Sequence, residues 1–231
     1  MKRFWKEAGA SPVEGGWQVM LDGRPLKTQG KRQQVVPSEA LARALAQEWA
    51  DQGEEIDPAG FVLRDMADYA IDVIAQDRAE TVRALLAYGE TDTLCYRAEP
   101  GEALARRQDA VWEPLLKEAE GLWDLRFERV SGIMHHPQPP ETLERLRAVL
   151  EAQDDFTLAA LRSLSGISAS LTIALLAADG AHAIDALWQA SELEELYQAE
   201  LWGADAEAEA RQGKRLRDFE AAVRFAGLVR G

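Results

Sequence analysis

Near the start of the chain Trp17, Val19 and Leu21 alternate with Gln18, Met20 and Asp22, the two-residue period of a strand that buries one face. Gly15-Gly16 precedes this stretch and Asp22-Gly23 closes it, and an Asp-Gly pair is a favoured two-residue hairpin turn. Pro25 lacks the N–H that a central strand needs, which confines the following segment to an edge. Gln33 to Val36 predicts one further strand, so residues 1–37 form a small hairpin-based sheet.

From Ser38 the period lengthens. Ser38 stands at an N-cap position, and Leu41, Leu45 and Trp49 then recur at helical spacing until Gly53. Asp57-Pro58 makes a turn, and Leu63, Met66, Ala67, Ala70, Ile71 and Ile74 form a second apolar stripe. Asp77 and Glu80 have capping-box spacing for a helix that carries Val82, Leu85 and Leu86 and stops at Gly89. Helical periodicity resumes over 102–123, with Pro114 inside it, which predicts a kink there or a break just before. Leu125 to Val130 alternates again and predicts a short strand; His135 to Pro140 is a proline-stiffened connector. Helices are predicted at about 141–151, 156–165, 167–179, 183–202 and 205–228.

These elements predict an α+β fold, predominantly α-helical. A small β-rich N-terminal domain (residues 1–75, hairpins and a helix) precedes an orthogonal helical bundle (residues 76–231). Abundant alanine in the helical part favours close helix packing.

Composition narrows the function classes. With 47% hydrophobic residues the chain can bury a core. Its formal net charge of -14 repels phosphate backbones and anionic lipid, so nucleic acid and membrane surface are poor partners. The least polar window, Ile167 to Ala178, contains Ser168, Ser170 and Thr172 and falls short of the ~20 apolar residues of a membrane span. The single cysteine, Cys95, excludes an internal disulfide, fits a reducing compartment and is expected to pack in the core. A basic start without a following apolar stretch gives no secretory signal, so the chain is expected to be cytoplasmic.

Enzyme motifs are missing: no glycine-rich phosphate loop, nucleophile elbow, CxxC or HExxH occurs. His135-His136 lies in a proline-flanked loop without a carboxylate close in sequence, and His182 follows Gly180 between two helices; neither predicts a metal site. No cofactor is expected. Charge is more informative. From Ser163 through Ala210 there is no lysine or arginine, whereas Asp179, Asp185, Glu192, Glu194, Glu195, Glu200, Asp205, Glu207 and Glu209 fall in that span and Arg211, Lys214, Arg215 and Arg217 follow it. Such a face is either self-complementary, as Glu207 and Arg211 four residues apart allow, or open to basic groups of a partner. Trp188, Tyr197 and Trp202 lie inside the acidic span, as core residues or as interface anchors.

Five blocks carry a family resemblance. Arg3-Phe4-Trp5-Lys6 with Gly16-Trp17-Gln18-Val19-Met20-Leu21-Asp22-Gly23-Arg24-Pro25-Leu26-Lys27-Thr28 comes first, then Glu48-Trp49-Ala50 with Ile56-Asp57-Pro58. Tyr88-Gly89-Glu90-Thr91-Asp92-Thr93-Leu94-Cys95-Tyr96-Arg97-Ala98, Trp112-Glu113-Pro114-Leu115-Leu116 and the tryptophan-glycine block around Glu200-Leu201-Trp202-Gly203 to Ala208 follow in order. Together they resemble the mitochondrial and alphaproteobacterial assembly chaperones for the α subunit of the F-type ATP synthase. Two features depart from that pattern: His135-His136 with its preceding loop, and Glu90 where the family usually has glycine.

The resemblance implies a non-enzymatic protein that binds the newly made α subunit and shields its β-facing surface until the catalytic head assembles. It implies that acidic residues near the tryptophan-glycine block are functionally sensitive, here Glu200, Asp205 and Glu207; these are expected to bind basic groups of the partner, with Trp202 packed beneath them to hold that helical turn. It also implies a bacterial cytoplasmic member whose eukaryotic relatives work in the mitochondrial matrix; a monomer is expected when free. Two rivals stand beside it. One is a hydrolase or lyase with carboxylates in a cleft between the two parts, which requires a pocket of perturbed carboxylates; the other is an acidic adaptor for some other basic protein.

Overall fold

The computed structural model describes residues 2–132, 134–203 and 205–231. Strand β1 (Ala8–Val13) pairs antiparallel with β2 (Gly16–Leu21), Ala8 opposite Leu21 and Val13 opposite Gly16. β3 (Arg24–Pro25) pairs with the end of β2 and β4 (Val35–Val36) with its start. Asp22 and Gly23 both have positive φ, 48° and 74°, as a type I′ hairpin turn requires. The Asp22 carboxylate also accepts the N–H groups of Lys6 and Glu7, at 3.0 and 2.8 Å. One turn residue thus shapes the hairpin and fixes the chain entering it. Gln18, expected to face outward, is buried, and its amide donates to the Leu26 carbonyl at 3.0 Å.

Helix α1 (Glu39–Ala50) begins where expected, with the Ser38 hydroxyl accepting the Leu41 N–H at 3.0 Å. Its buried Leu41, Leu45 and Trp49 pack under the sheet, and Trp49 sits between Trp5 and Phe61 with ring centroids 4.9 and 4.5 Å away. Glu48 projects from α1 to cap α2 (Val62–Tyr69) from outside, accepting the N–H groups of Leu63 and Arg64. One wide π-type turn (Ala70–Ile74) follows, then α3 (Arg78–Glu90), capped by Asp77. Gly89 lets α3 approach its neighbours closely: a Cβ there would lie 2.8 Å from a methyl group of buried Leu146, which would have to shift.

A short turn (Thr93–Cys95) leads into β5 (Tyr96–Arg97), which pairs parallel with β6 (Val130–Ser131) across α4 (Ala103–Trp123). The remaining helices are α5 (Pro140–Glu151), α6 (Asp155–Ser168), α7 (Leu171–Asp179), α8 (Ile184–Ser191), α9 (Leu193–Trp202) and α10 (Ala206–Arg230). Helix α7 is buried at every position from Leu171 to Ala178, the signature of a helix surrounded by others. It packs on α6, and α10 and α3 cover the pair. One apolar cluster connects Trp5, near the N-terminus, with Val229 in α10. The α+β, mainly helical architecture is the expected one.

Helix α4 runs through Pro114 without the break that was one of the two expected outcomes; Ala110, whose carbonyl loses its helical partner, is exposed, so water can replace the lost bond. Two further local expectations fail. The strand predicted over 125–130 shrinks to Val130–Ser131 because side chains take its backbone groups: Glu120 accepts the Phe127 N–H and Gln138 accepts the Glu128 N–H. The helix predicted over 183–202 is two helices, divided at Glu192.

Candidate functional site

The corner formed by α9 and α10 holds all four residues singled out in the tryptophan-glycine block. Helix α9 is thinly attached: Leu193 is its one buried side chain. Its two sides differ. Glu194, Tyr197 and Glu200, three residues apart, turn toward α4. Gln108 donates to Glu194 at 2.6 Å, Arg107 donates twice to Glu200 at 2.5 and 2.7 Å, and the Arg107 guanidinium lies 5.8 Å from the Tyr197 ring centre. On the other side Glu195, Ala199 and Trp202 line a groove of about 380 Å³ whose far wall is Asp205, Glu209 and Gln212.

Trp202 does not pack beneath the carboxylates. Its side chain is 77% exposed and neighbouring Leu201 is 56% exposed. The helix ends at this point, with Gly203 at φ 85° and its N–H bonded to the Ala199 carbonyl at 2.8 Å, so the indole projects past the last turn. Two large apolar side chains thus stand in solvent at the end of α9, and Trp202 borders the groove, whose wall also carries Arg211 and Arg215. Ala204 lies outside the described residues.

The three carboxylates are accessible, but each has an intramolecular partner. Glu200 is engaged by Arg107, whose hydrogen bonds hold its carboxyl below the ordinary range. Asp205 caps α10 by accepting the Ala208 N–H at 2.7 Å. Glu207 pairs with Arg211 at 2.7 Å along the helix surface. Exposed pairs of that kind are worth ~0.3–0.5 kcal/mol, little enough for a partner's basic group to compete.

Residues the pattern did not single out complete the corner. Glu192, 1% exposed, sits at the α8–α9 joint and pairs with Arg215 of α10 at 2.8 Å. Burial pushes its carboxyl up, against the pull of the Arg215 charge. Arg215 also donates to the Ile167 carbonyl at 2.7 Å, tying the joint to α6. Glu192 and Arg215 were visible as members of an acidic and a basic run, but nothing in the sequence pairs residues 23 apart, still less Arg107 with Glu200.

Elsewhere, carboxylates raised by burial are dispersed in structural roles. Glu48 caps α2, Asp68 accepts the amide of Gln34, and Asp92 accepts the N–H groups of Leu94 and Thr172. Cys95 is buried, which pushes its thiol well above the ordinary range. His135 Nδ1 lies 3.3 Å from the Tyr96 hydroxyl and His182 Nε2 lies 3.0 Å from Glu118. Among the described residues no cluster of three or more His, Cys, Asp or Glu is placed to hold a metal, and no helix is long and apolar enough to cross a membrane.

Residues 2–120 match the profile of the ATP12 chaperone protein family. The chain is 38% identical to Atp12 from Paracoccus denitrificans; its crystal structure superposes with a TM-score of 0.93, over 99% of this chain and 98% of that one. A crystallised protein of Agrobacterium tumefaciens, described as a putative chaperone, gives the same TM-score at 37% identity, over 98% and 85% of the two chains. The mitochondrial protein atp12 of Schizosaccharomyces pombe is 26% identical over 215 residues, 88% of this chain and 74% of that protein. The α9–α10 corner lies beyond the segment matched by the profile, and the likeness to the two crystal structures extends over it.

Proposed function

Because the chain belongs to the ATP12 chaperone family, we propose that it assists assembly of the F-type ATP synthase by holding the newly made α subunit until the β subunit replaces it. The family is one of chaperones, not of enzymes. The supporting observation in this molecule is the α9–α10 corner, where exposed Trp202, next to exposed Leu201, borders a groove in which four carboxylates (Glu192, Glu195, Asp205, Glu209) outnumber two arginines (Arg211, Arg215).

The physical logic is substitution. An unassembled subunit presents apolar surface that its neighbour will later bury, and an exposed patch of that kind aggregates. A temporary cover must dock quickly and still leave. Leu201 and Trp202 supply a compact apolar contact, and Glu195, Asp205, Glu207 and Glu209 supply a negative rim. Rim charges accelerate docking and exclude partners of the wrong sign more than they deepen affinity. The client segment that fits is apolar with flanking lysines or arginines. The chain acts as a monomer in the bacterial cytoplasm.

Co-expression tests the proposal. With this chain present the ATP synthase α subunit becomes soluble and co-purifies with it, whereas the β subunit and an unrelated basic protein do not. An α subunit that aggregates equally with and without the chain contradicts the proposal. Equal retention of any basic protein favours a general acidic adaptor.

A further inference from the structure

The polar contacts between α4 and α9 resemble a clamp more than a packing interface. Leu193 alone anchors α9 by burial, at its first turn; from Glu194 to Trp202 no side chain is fully buried. What fixes this length is Gln108 on Glu194 and the two-pronged Arg107 on Glu200, with the guanidinium near Tyr197. Gln108 is itself fixed. It is completely buried, and its carbonyl oxygen accepts the Ala98 N–H at 2.8 Å. The clamp thus runs from the β5 edge through α4 to α9.

The opposite side of α9 carries Glu195, Ala199 and Trp202. A rotation or lift of α9 off α4 therefore moves the groove wall and the exposed Leu201–Trp202 pair together. We propose that Arg107 and Gln108 are positioning residues, and that Glu200 serves client capture through Arg107, by setting the angle of α9, rather than by touching the client. The proposal rests on the α-subunit reading above. It reassigns Glu200 and leaves Trp202, Asp205 and Glu207 as the groups a client meets.

A charge swap separates positioning from contact. Three full-length variants are compared with the wild type: Arg107→Glu, Glu200→Arg and the double variant. Amide hydrogen exchange is read over residues 194–202, with thermal melting as a control and α-subunit capture as the functional readout. Each single reversal is expected to speed exchange of those amides by about tenfold, as local opening does, to lower capture several-fold and to leave the melt nearly unchanged. The double variant is expected to restore both protection and capture. Unchanged exchange in the single variants overturns the clamp. Protection restored without capture in the double variant means that Glu200 meets the client itself, and overturns its reassignment. A wild-type chain that retains no α subunit defeats the client reading, and with it the client half of this inference, while the exchange data still decide whether the clamp holds α9.

Discussion

Trp202 points its indole into solvent instead of packing beneath Glu200, Asp205 and Glu207. Its place in a tryptophan-glycine block is visible in the sequence, but the direction of the ring depends on where α9 stops. Because the indole is mostly in solvent, Trp202→Ala should shift stability by no more than ~0.5 kcal/mol while lowering α-subunit retention; a large drop in melting temperature would instead make the ring a packing element. Asp205→Ala removes the α10 cap and should cost ~1 kcal/mol, measurable by urea unfolding. Glu207→Lys loses only the surface pair with Arg211, so it should leave the melt nearly unchanged and weaken retention. Stability and retention falling together would assign Glu207 a structural role. The Glu207–Arg211 pair is legible because four residues on a helix is a local relation. The pairing of Glu200 is not, since Arg107 is 93 positions away.

At the scale of elements, what could be read ahead depended on how local its cause is. The Asp22-Gly23 turn and the Ser38 and Asp77 caps act within a few residues, and each is where the pattern placed it. Strand β1, Ala8 to Val13, has no alternating large apolar residues and exists because β2 pairs with it. The division of α8 from α9 follows from the tie between buried Glu192 and Arg215, which no helical periodicity reports. Asp92 exemplifies a long-range joint: one buried carboxylate accepts the Leu94 N–H and, from the start of α7, the Thr172 N–H. Asp92→Ala would leave both donors without partners in the core, for a loss of ~2–6 kcal/mol at ~1–3 per buried group, to be measured by chemical denaturation. A loss under half of the lower figure would mean that water enters the site.

Over the whole molecule the carboxylates divide by sign. At Asp72 burial works upward, but the Thr28 hydroxyl, the Gly30 N–H and Arg32 outweigh it and hold the carboxyl below its ordinary 3.8. At Glu120 burial is likewise outweighed, by Arg129 and the Phe127 N–H. Asp22, held by the Glu7 and Lys6 N–H groups, and Glu200, held by Arg107, are lowered as well; stability from lowered carboxylates is complete above the unfolded values and is lost as pH falls through the lower folded ones. Glu48, Asp68, Asp92, Glu192 and Glu194 are raised, with burial the leading cause. They act oppositely: their contribution is complete below the unfolded values and is lost as pH rises through the folded ones. With a net charge of -14 also adding self-repulsion at neutrality, melting temperature should peak on the acid side of neutrality. A maximum at pH 8 or above would contradict this balance.

The α9–α10 corner sets exposed apolar surface within a molecule of net charge -14. Site-specific photo-crosslinking tests that combination directly. A photoreactive phenylalanine analogue is placed at position 202 or, as a control, at position 122, an exposed leucine (59%) on α4, 15 residues or about 20 Å along that helix from Arg107. With the ATP synthase α subunit present, illumination should produce a covalent adduct from position 202 and none from position 122. An adduct from position 122 alone, or from neither position while the two proteins co-purify, would place the docking surface elsewhere.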